Sequence, residues 1–172
     1  ARIGVCGCLA EDLGLELLKK YPYLDFVAGA QNIAKMPAIL DRIINGERGL
    51  AVTGKDGDSS AADKYCVNEK KISAQVQIMR GCDCYCSYCI VPYVRGREIS
   101  RKPESILEQI EELVKEGCLE VTLLGQNVNS YGRDLEEAVT FTDLLKRIDK
   151  VNGLKRIRFM TSNPMYFQQE LV

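Results

Sequence analysis

Four cysteines crowd into eight positions near the middle of the sequence, within the stretch GCDCYCSYCIVPYVRGREIS at residues 81–100. They are Cys82, Cys84, Cys86 and Cys89. Thiolates at such spacing can ligate soft metals or iron–sulfur clusters, and thiols can also pair as disulfides. The stretch is therefore compatible with a disulfide knot, a zinc knuckle, a structural iron–sulfur site or a catalytic cluster.

The composition excludes several other kinds of site. The 172 residues contain no histidine, so this sequence can form no histidine-dependent catalytic triad and no histidine-ligated zinc or haem site. Eight cysteines could form four disulfides, but a chain of this length and apolar content can build a core without them. The disulfide knot is therefore the weakest of the four hypotheses.

The remaining composition predicts a globular protein of the cytoplasm. No apolar run has the length of a membrane span and no leader resembles a signal peptide, so we expect a cytoplasmic location without membrane contact. The net charge of −1 gives no electrostatic case for nucleic-acid binding. Basic clusters at residues 95–102 and 155–158 fit solvated charge as well as a phosphate-facing patch. Because the first residue is Ala1, we expect that the sequence begins inside a larger protein.

Residues 1–52 alternate between short strands and helices, which is typical of an α/β unit. Apolar periodicity, with glycine and proline as stops, predicts strands at residues 2–6 and 25–28 and helices at residues 9–20 and 33–45. The stretch at residues 53–71 begins rich in Gly, Asp, Ser and Lys and lacks periodicity, so we interpret it as a linker. We therefore expect a second domain over residues 72–172.

The second domain repeats the alternation. Three strands are predicted at residues 73–79, 119–124 and 156–160, and two helices at residues 103–116 and 140–151, with a further helix that starts near Pro164. Thr140 and Asp143 predict a capping box at the start of the helix over residues 140–151. This order predicts parallel strands with right-handed crossovers. Each strand has one apolar and one polar face, which favours a wet cavity on the polar side over a sheet with one face in solvent.

The cysteine loop directly follows the first strand of this second series. Ligands bind at the carboxyl ends of strands in βα folds, so the position favours a catalytic site over a structural knuckle. A structural zinc site would need a second knuckle, whereas Cys66 and Cys118 are isolated, as packed or surface thiols usually are. The compact set Cys82, Cys86 and Cys89 offers three thiolates, which would leave one iron of a cubane open to a substrate.

These residues resemble a known signature. The spacing Cys82-x3-Cys86-x2-Cys89, with Tyr88 before the last cysteine, resembles the radical S-adenosylmethionine (radical SAM) motif. The stretches GCDCYCSYCIVPYVRGREISRKP, LLGQNVNSYG and RFMTSNP resemble the radical SAM methylthiotransferases, and LLGQNVNSYG resembles their tRNA-modifying, MiaB-type branch. The resemblance covers most of residues 2–172.

The resemblance implies an α/β fold in two parts. Residues 1–52 would be the C-terminal part of an α/β methylthiotransferase N-terminal domain, and residues 72–172 the first βα units of a partial radical SAM (TIM-like) barrel. A complete barrel needs more strands than the three predicted here, so we expect an internal fragment that is inactive alone. Within the motifs, Cys84 is an additional thiol, and Asn163 stands where the family usually has histidine.

The resemblance also implies two clusters. Cys82, Cys86 and Cys89 would hold a [4Fe–4S] cluster whose open iron binds SAM, so that an electron from the cluster can cleave the sulfonium and generate a 5′-deoxyadenosyl radical. Cys8, in the stretch GCLAED, would be one ligand of a second, auxiliary [4Fe–4S] cluster, whose other cysteines lie outside this chain. Cys6 falls where the family usually has a small residue that is not a ligand.

Contacts with SAM are implied at three further residues. Tyr88 would lie near the adenine, and Gln126 and Asn127 would contact the methionine part, although loop-capping amides account equally well for the last two. The resemblance assigns no residue of this chain a catalytic role.

The activity implied by the resemblance is insertion of a methylthio group at C2 of N6-isopentenyladenosine, next to the anticodon of tRNA. The expected partners are the tRNA substrate, SAM and an electron donor of the flavodoxin or ferredoxin type. Two alternatives stay open: a methylthiotransferase that acts on a different tRNA base or on a ribosomal protein, and a Cys-rich zinc or iron–sulfur binding module without catalysis.

Overall fold

The computed structural model describes residues 1–54, 72–167 and 169. Among them, residues 1–54 and 84–96 form one compact unit, and residues 72–83 and 97–167 belong to a second. The linker predicted at residues 53–71 lies outside the described residues except for its first two positions. The predicted domain boundaries therefore stay a prediction.

The first unit is a three-stranded parallel sheet in the order β1-β2-β3. Its elements in chain order are β1 (Gly4–Gly7), α1 (Cys8–Leu13), α2 (Leu15–Lys20), β2 (Phe26–Gly29), a 3-10 helix (Ala30–Lys35), α3 (Met36–Ile44), β3 (Leu50–Val52) and α4 (Val91–Val94). The central strand β2 is buried along its whole length. Because side chains alternate along a strand, Val27 packs into one apolar cluster while Phe26 and Ala28 pack into another.

Two helices of this unit differ from the sequence-based prediction. The single helix predicted at residues 9–20 is wrong, because Gly14 has φ 45° and ψ −119° and separates α1 from α2. That conformation is open to glycine and disfavoured for other residues. The helix predicted at residues 33–45 begins as the 3-10 helix and becomes α-helical at Met36. Strand β3 was not predicted, because three residues are too few to show a periodicity.

The second unit contains a parallel sheet in the order β4-β7-β8 and a two-stranded antiparallel sheet, β5-β6. Its elements are β4 (Ser73–Gln77), β5 (Met79–Arg80), β6 (Ile99–Ser100), α5 (Pro103–Lys115), β7 (Glu120–Leu124), a 3-10 helix (Val128–Ser130), α6 (Phe141–Ile148), β8 (Arg156–Phe159) and a second 3-10 helix (Pro164–Tyr166). The predicted α/β class and the three parallel strands are confirmed.

The two faces of the parallel sheet differ as the sequence predicts. Val121 and Leu123 of β7 are fully buried in the core of this unit. On the opposite face, Glu120 pairs with Arg156 at 2.8 Å and with Arg158 at 3.6 Å. Ion pairs between neighbouring strands thus account for the charges on the polar face, and the wet cavity stays a prediction.

The predicted capping box at the start of α6 is confirmed. The Asp143 N–H donates to Oγ1 of Thr140 at 3.1 Å, and the Thr140 N–H donates to the Asp143 carboxylate at 3.0 Å. These bonds satisfy N–H groups that the first turn of a helix leaves without intrahelical partners.

Among the described residues, no helix combines the length and the apolar character needed to cross a membrane.

Asp25 joins the starts of all three strands of the first unit. Its carboxylate accepts the backbone N–H of Ile3 at 2.8 Å and lies 3.3 Å from Arg2 and 3.9 Å from Arg48. Its backbone also bonds to Ile3 and Leu50. The hydrogen bond from Ile3, followed by the two guanidinium groups, holds the pKa of Asp25 below its usual range.

We expect Asp25→Asn to lower the urea midpoint of unfolding at pH 7. A carboxylate whose pKa is lower in the folded than in the unfolded chain stabilises the fold above its unfolded pKa of about 3.9. That contribution is lost as the pH falls through the folded value, so the difference between variant and wild type should shrink below about pH 4. Glu47→Gln, which breaks an exposed pair with Arg42, is the control and should have a smaller effect. Equal midpoints at pH 7 would contradict this role of Asp25.

Candidate metal and cofactor site

The second half of the cysteine stretch forms a tight turn in the first unit. The backbone N–H of Cys89 donates to the carbonyl of Cys86 over 2.9 Å, which closes the turn. Both cysteines are half-buried, and their thiols are free. Two thiols presented by one turn suit ligation of a single metal centre.

Helix α4 follows this turn and anchors it. Pro92 and Val94 are buried, whereas Tyr93 is exposed and packs edge-to-face with Tyr85, with 6.0 Å between the ring centroids. Tyr85 has φ 44°, a left-handed conformation that residues other than glycine seldom adopt. The backbone therefore changes direction directly before Cys86.

Tyr88 lies at the tip of the turn and is 89% exposed. The sequence predicts that this ring contacts the adenine of SAM. An exposed aromatic ring has an apolar face available to a ligand. The contact itself stays a prediction.

Cys8 lies in the first unit at the start of α1, directly after β1. Its side chain is half-buried, and its Sγ accepts a hydrogen bond of 3.1 Å from Nε of Arg95. A hydrogen bond to sulfur fixes the orientation of the side chain, as outer contacts of metal ligands do. The environment of Cys8 is therefore compatible with the predicted role as a ligand.

Cys82 lies in the second unit, two residues after β5, and is 8% exposed. The next residue, Asp83, forms two long hydrogen bonds with Glu98. The Asp83 N–H donates to the Glu98 carboxylate at 3.5 Å, and the Glu98 N–H donates to the Asp83 carboxylate at 3.4 Å. Arg97 pairs with Asp83 at 3.4 Å. These contacts hold the backbone next to Cys82.

The segment after β7 is bound to the two residues that flank β6. The hydroxyl of Ser130 lies 2.9 Å from the carboxylate of Glu98, and the hydroxyl of Tyr131 donates to the carbonyl of Arg101 at 2.6 Å. Burial raises the pKa of the Tyr131 phenol, so that it stays protonated and able to donate. Sequence analysis missed Glu98, because its partner Ser130 lies 32 residues away and no local pattern marks it.

Asn127 is buried and makes a contact that explains its burial. Its Oδ1 accepts the backbone N–H of Asn163 at 3.2 Å, and Asn129 bonds to both the N–H and the carbonyl of Asn163. The two amides thus fix the backbone after β8, which is the loop-capping role considered for Asn127. Contact between Asn127 and SAM stays a prediction.

Gln126 and Arg80 differ from these amides. Within the described ranges, Oε1 of Gln126 and one terminal nitrogen of Arg80 are buried without a hydrogen-bond partner. Gln126 is the second residue after β7, and Arg80 is the last residue of β5, the strand that precedes the cysteines. Buried polar atoms normally have partners, so these two fit a site whose remaining hydrogen bonds come from a ligand. This observation supports Gln126 as a contact to a polar cofactor such as SAM.

The thiols of Cys8, Cys86 and Cys89 are free, so the structure gives no support to a disulfide knot that includes them. Cys118 is buried, and its Sγ lies 3.1 Å from the carbonyl of Glu120, as expected for an isolated packed thiol. Cys66 lies outside the described residues. The thiols of the loop thus fit an iron–sulfur centre by donor type, since thiolate is the ligand that such clusters prefer.

Comparison with protein families decides between the hypotheses for the cysteine loop. Residues 76–171 match the model of the Radical SAM superfamily. The chain belongs to the radical SAM superfamily. Membership implies a [4Fe–4S] cluster and SAM as cofactors, and it favours the iron–sulfur hypothesis over the zinc knuckle. It also confirms the prediction that strands β4, β7 and β8 belong to a partial radical SAM barrel.

This radical SAM chain is similar over nearly its whole length to curated proteins named tRNA-2-methylthio-N(6)-dimethylallyladenosine synthase. It is 46% identical to the protein of Aliarcobacter butzleri over 100% of the chain and 39% of the relative. It is 47% identical to that of Desulforamulus reducens over 99% of the chain and 38% of the relative, and 46% identical to that of Clostridium beijerinckii over 94% and 36%. The chain thus spans about two fifths of the length of these relatives.

We expect three of the four clustered cysteines to be required for the SAM-binding cluster. In the full-length protein with Cys8 replaced by Ala, Cys82→Ala, Cys86→Ala and Cys89→Ala should each abolish the visible absorption after anaerobic reconstitution with iron and sulfide, because a missing ligand empties the site. Cys84→Ala is the matched control and should keep the absorption and its response to SAM. Loss of the cluster in Cys84→Ala with retention in Cys86→Ala would show that the ligand assignment is wrong.

We expect Ser130→Ala to destabilise the fold by about 1–3 kcal/mol, because it leaves the buried carboxylate of Glu98 without this hydrogen-bond donor. The free energy of unfolding, measured by urea titration of the chain, tests this. Ser87→Ala, at an exposed position of the cysteine turn, is the control and should lie within about 0.5 kcal/mol of wild type. Equal effects of the two substitutions would contradict the importance of the Ser130 contact.

Proposed function

We propose that this chain is part of a tRNA methylthiotransferase that inserts a methylthio group at C2 of N6-isopentenyladenosine next to the anticodon. The observation that carries the proposal is the 46–47% identity, over at least 99% of the chain, to two proteins whose names state this class of product. The free thiols of the Cys86–Cys89 turn support it, because the reaction class needs a cluster with an open iron.

Each predicted site residue has a proposed role. Cys82, Cys86 and Cys89 hold the cluster that binds SAM, and Cys8 is one ligand of a second cluster whose other ligands lie outside this chain. Together, the bound cluster and SAM supply radical chemistry that can activate a C–H bond. The chain's own contribution is to present the thiolates of Cys86 and Cys89 on one hydrogen-bonded turn.

The cofactor contacts are proposed at Tyr88 and Gln126, with Asn127 beside them. Tyr88 offers an exposed ring on which an adenine can stack. Gln126 offers a buried amide oxygen that lacks a partner among the described residues and can accept an N–H or ammonium donor of SAM. Asn127 then has a supporting role, since its oxygen already binds the backbone of Asn163.

The partners follow from the proposed reaction. Besides tRNA and SAM, the cluster needs an electron donor, for which a protein of the flavodoxin or ferredoxin type is proposed. A tRNA substrate and such a donor place the protein in the cytoplasm.

We expect the full-length protein, reconstituted anaerobically and supplied with SAM, dithionite and tRNA that carries N6-isopentenyladenosine, to form the methylthio nucleoside. Nucleoside digestion and mass spectrometry measure the product, and tRNA with unmodified adenosine at the same position is the matched control. The variant Cys86→Ala should form neither this product nor 5′-deoxyadenosine.

Two outcomes would contradict different parts of the proposal. Formation of 5′-deoxyadenosine without any methylthio product would exclude the transferase while leaving radical SAM chemistry intact. Methylthiolation of another tRNA base, or of a ribosomal protein in place of tRNA, would replace the proposed substrate with one of the alternatives.

A further inference from the structure

Arg95 connects two cysteine sites within the first unit. Its Nε donates to Sγ of Cys8 at 3.1 Å, although the two residues lie 87 positions apart in the sequence. Arg95 also ends α4, the helix that follows the turn of Cys86 and Cys89. Arg95 therefore contacts the sulfur of Cys8 and also lies at the end of the segment that carries the thiols of Cys86 and Cys89.

The backbone of Arg95 is fixed on both sides. Its N–H donates to the carbonyl of Val91 at 2.8 Å, and its own carbonyl accepts Nε2 of Gln31 at 2.8 Å. Gln31 is buried, and Gly96 leaves room for it, since a Cβ at position 96 would lie 3.3 Å from the Gln31 amide. The guanidinium is thus aimed by an anchored backbone.

The side chain of Arg95 has few competing partners. Within residues 1–54 and 72–167, no carboxylate forms a salt bridge with it, whereas Arg97, two residues later, pairs with Asp83. Arg95 is half-buried, so water competes weakly for its Nε–H. Sulfur of Cys8 is therefore the polar partner toward which this donor is directed.

We propose that Arg95 is a positioning residue for the auxiliary cluster. Its N–H fixes the orientation of the Cys8 sulfur, and its charge stabilises the electron that this cluster accepts. Hydrogen bonds to cluster sulfurs and nearby positive charge both raise a cluster's reduction potential, because they favour the more negative, reduced form. The inference rests on the proposal that Cys8 is a cluster ligand.

The same arrangement ties the two cysteine sites together mechanically. A shift of α4 that moved the Cys86–Cys89 turn would also move the donor that orients Cys8. The Gln31 bond to the Arg95 carbonyl resists such a shift from the side of the sheet. Arg95 thus sets the orientation of one ligand from the element that presents two others.

The test measures the reduction potential of the auxiliary cluster alone. In the full-length protein, Cys82, Cys86 and Cys89 are replaced by Ala so that only the cluster held by Cys8 remains, and the potential is followed by electron paramagnetic resonance during a dithionite titration. We expect Arg95→Met to shift the potential to lower values while the iron and sulfide content is retained. Arg95→Lys, which keeps the charge but not the Nε–H geometry, should shift it less.

Arg97→Met is the matched control, because Arg97 lies two residues after Arg95, carries the same charge and is exposed. It should leave the potential unchanged. An unchanged reduction potential in an Arg95 variant that still assembles the cluster would overturn the inference. A shift in Arg97→Met as large as that in Arg95→Met would also overturn it. If Cys8→Ala keeps the cluster, Cys8 is not a ligand and the inference is wrong. The proposed methylthiotransferase activity is tested separately, by product formation, and does not depend on this result.

Discussion

The need to give every buried polar group a partner shapes the loops that carry this site. Asn127, Asn129 and Ser130 are all buried, although they lie in the connection after β7, where Asn127 directly precedes a 3-10 helix of only three residues, Val128–Ser130. Burying an amide or hydroxyl without a hydrogen bond costs about 1–3 kcal/mol. The loop is stable in this position because Glu98 and the backbone of Asn163 supply partners from other elements.

The same constraint gives three arginines of the basic cluster after the cysteines polar partners within the protein. Arg95 donates to Cys8, Arg97 pairs with Asp83, and Arg101 donates to the carbonyl of Gln77 and to Gln109. Each guanidinium is thus directed to its own protein partner. Charge that was compatible with nucleic-acid binding in the sequence is used to position the backbone and one sulfur.

How far the sequence predicts this fold depends on the distance over which each signal acts. The capping box of α6 and the alternation of β7 are local patterns, and both appear as predicted. Helix α4 has four residues, and strands β5 and β6 have two each, which is too short for periodicity to show. Within the site, spacing and resemblance predict the cysteine ligands, but no local pattern predicts the contact from Arg95 to Cys8, which spans 87 residues and exists only after folding.

Spacing alone could not distinguish Cys84 from Cys86, since alternate residues of an extended segment share one face. The backbone does not stay extended there, because Tyr85 between them has φ 44°. The change of direction places Cys86 in the turn that its carbonyl closes with the Cys89 N–H, whereas Cys84 precedes the change. The edge-to-face contact of Tyr85 with Tyr93 of α4 stabilises this conformation, which offsets part of the cost of a left-handed tyrosine. Local backbone strain, supported by an aromatic contact, therefore places Cys86 in the same turn as Cys89.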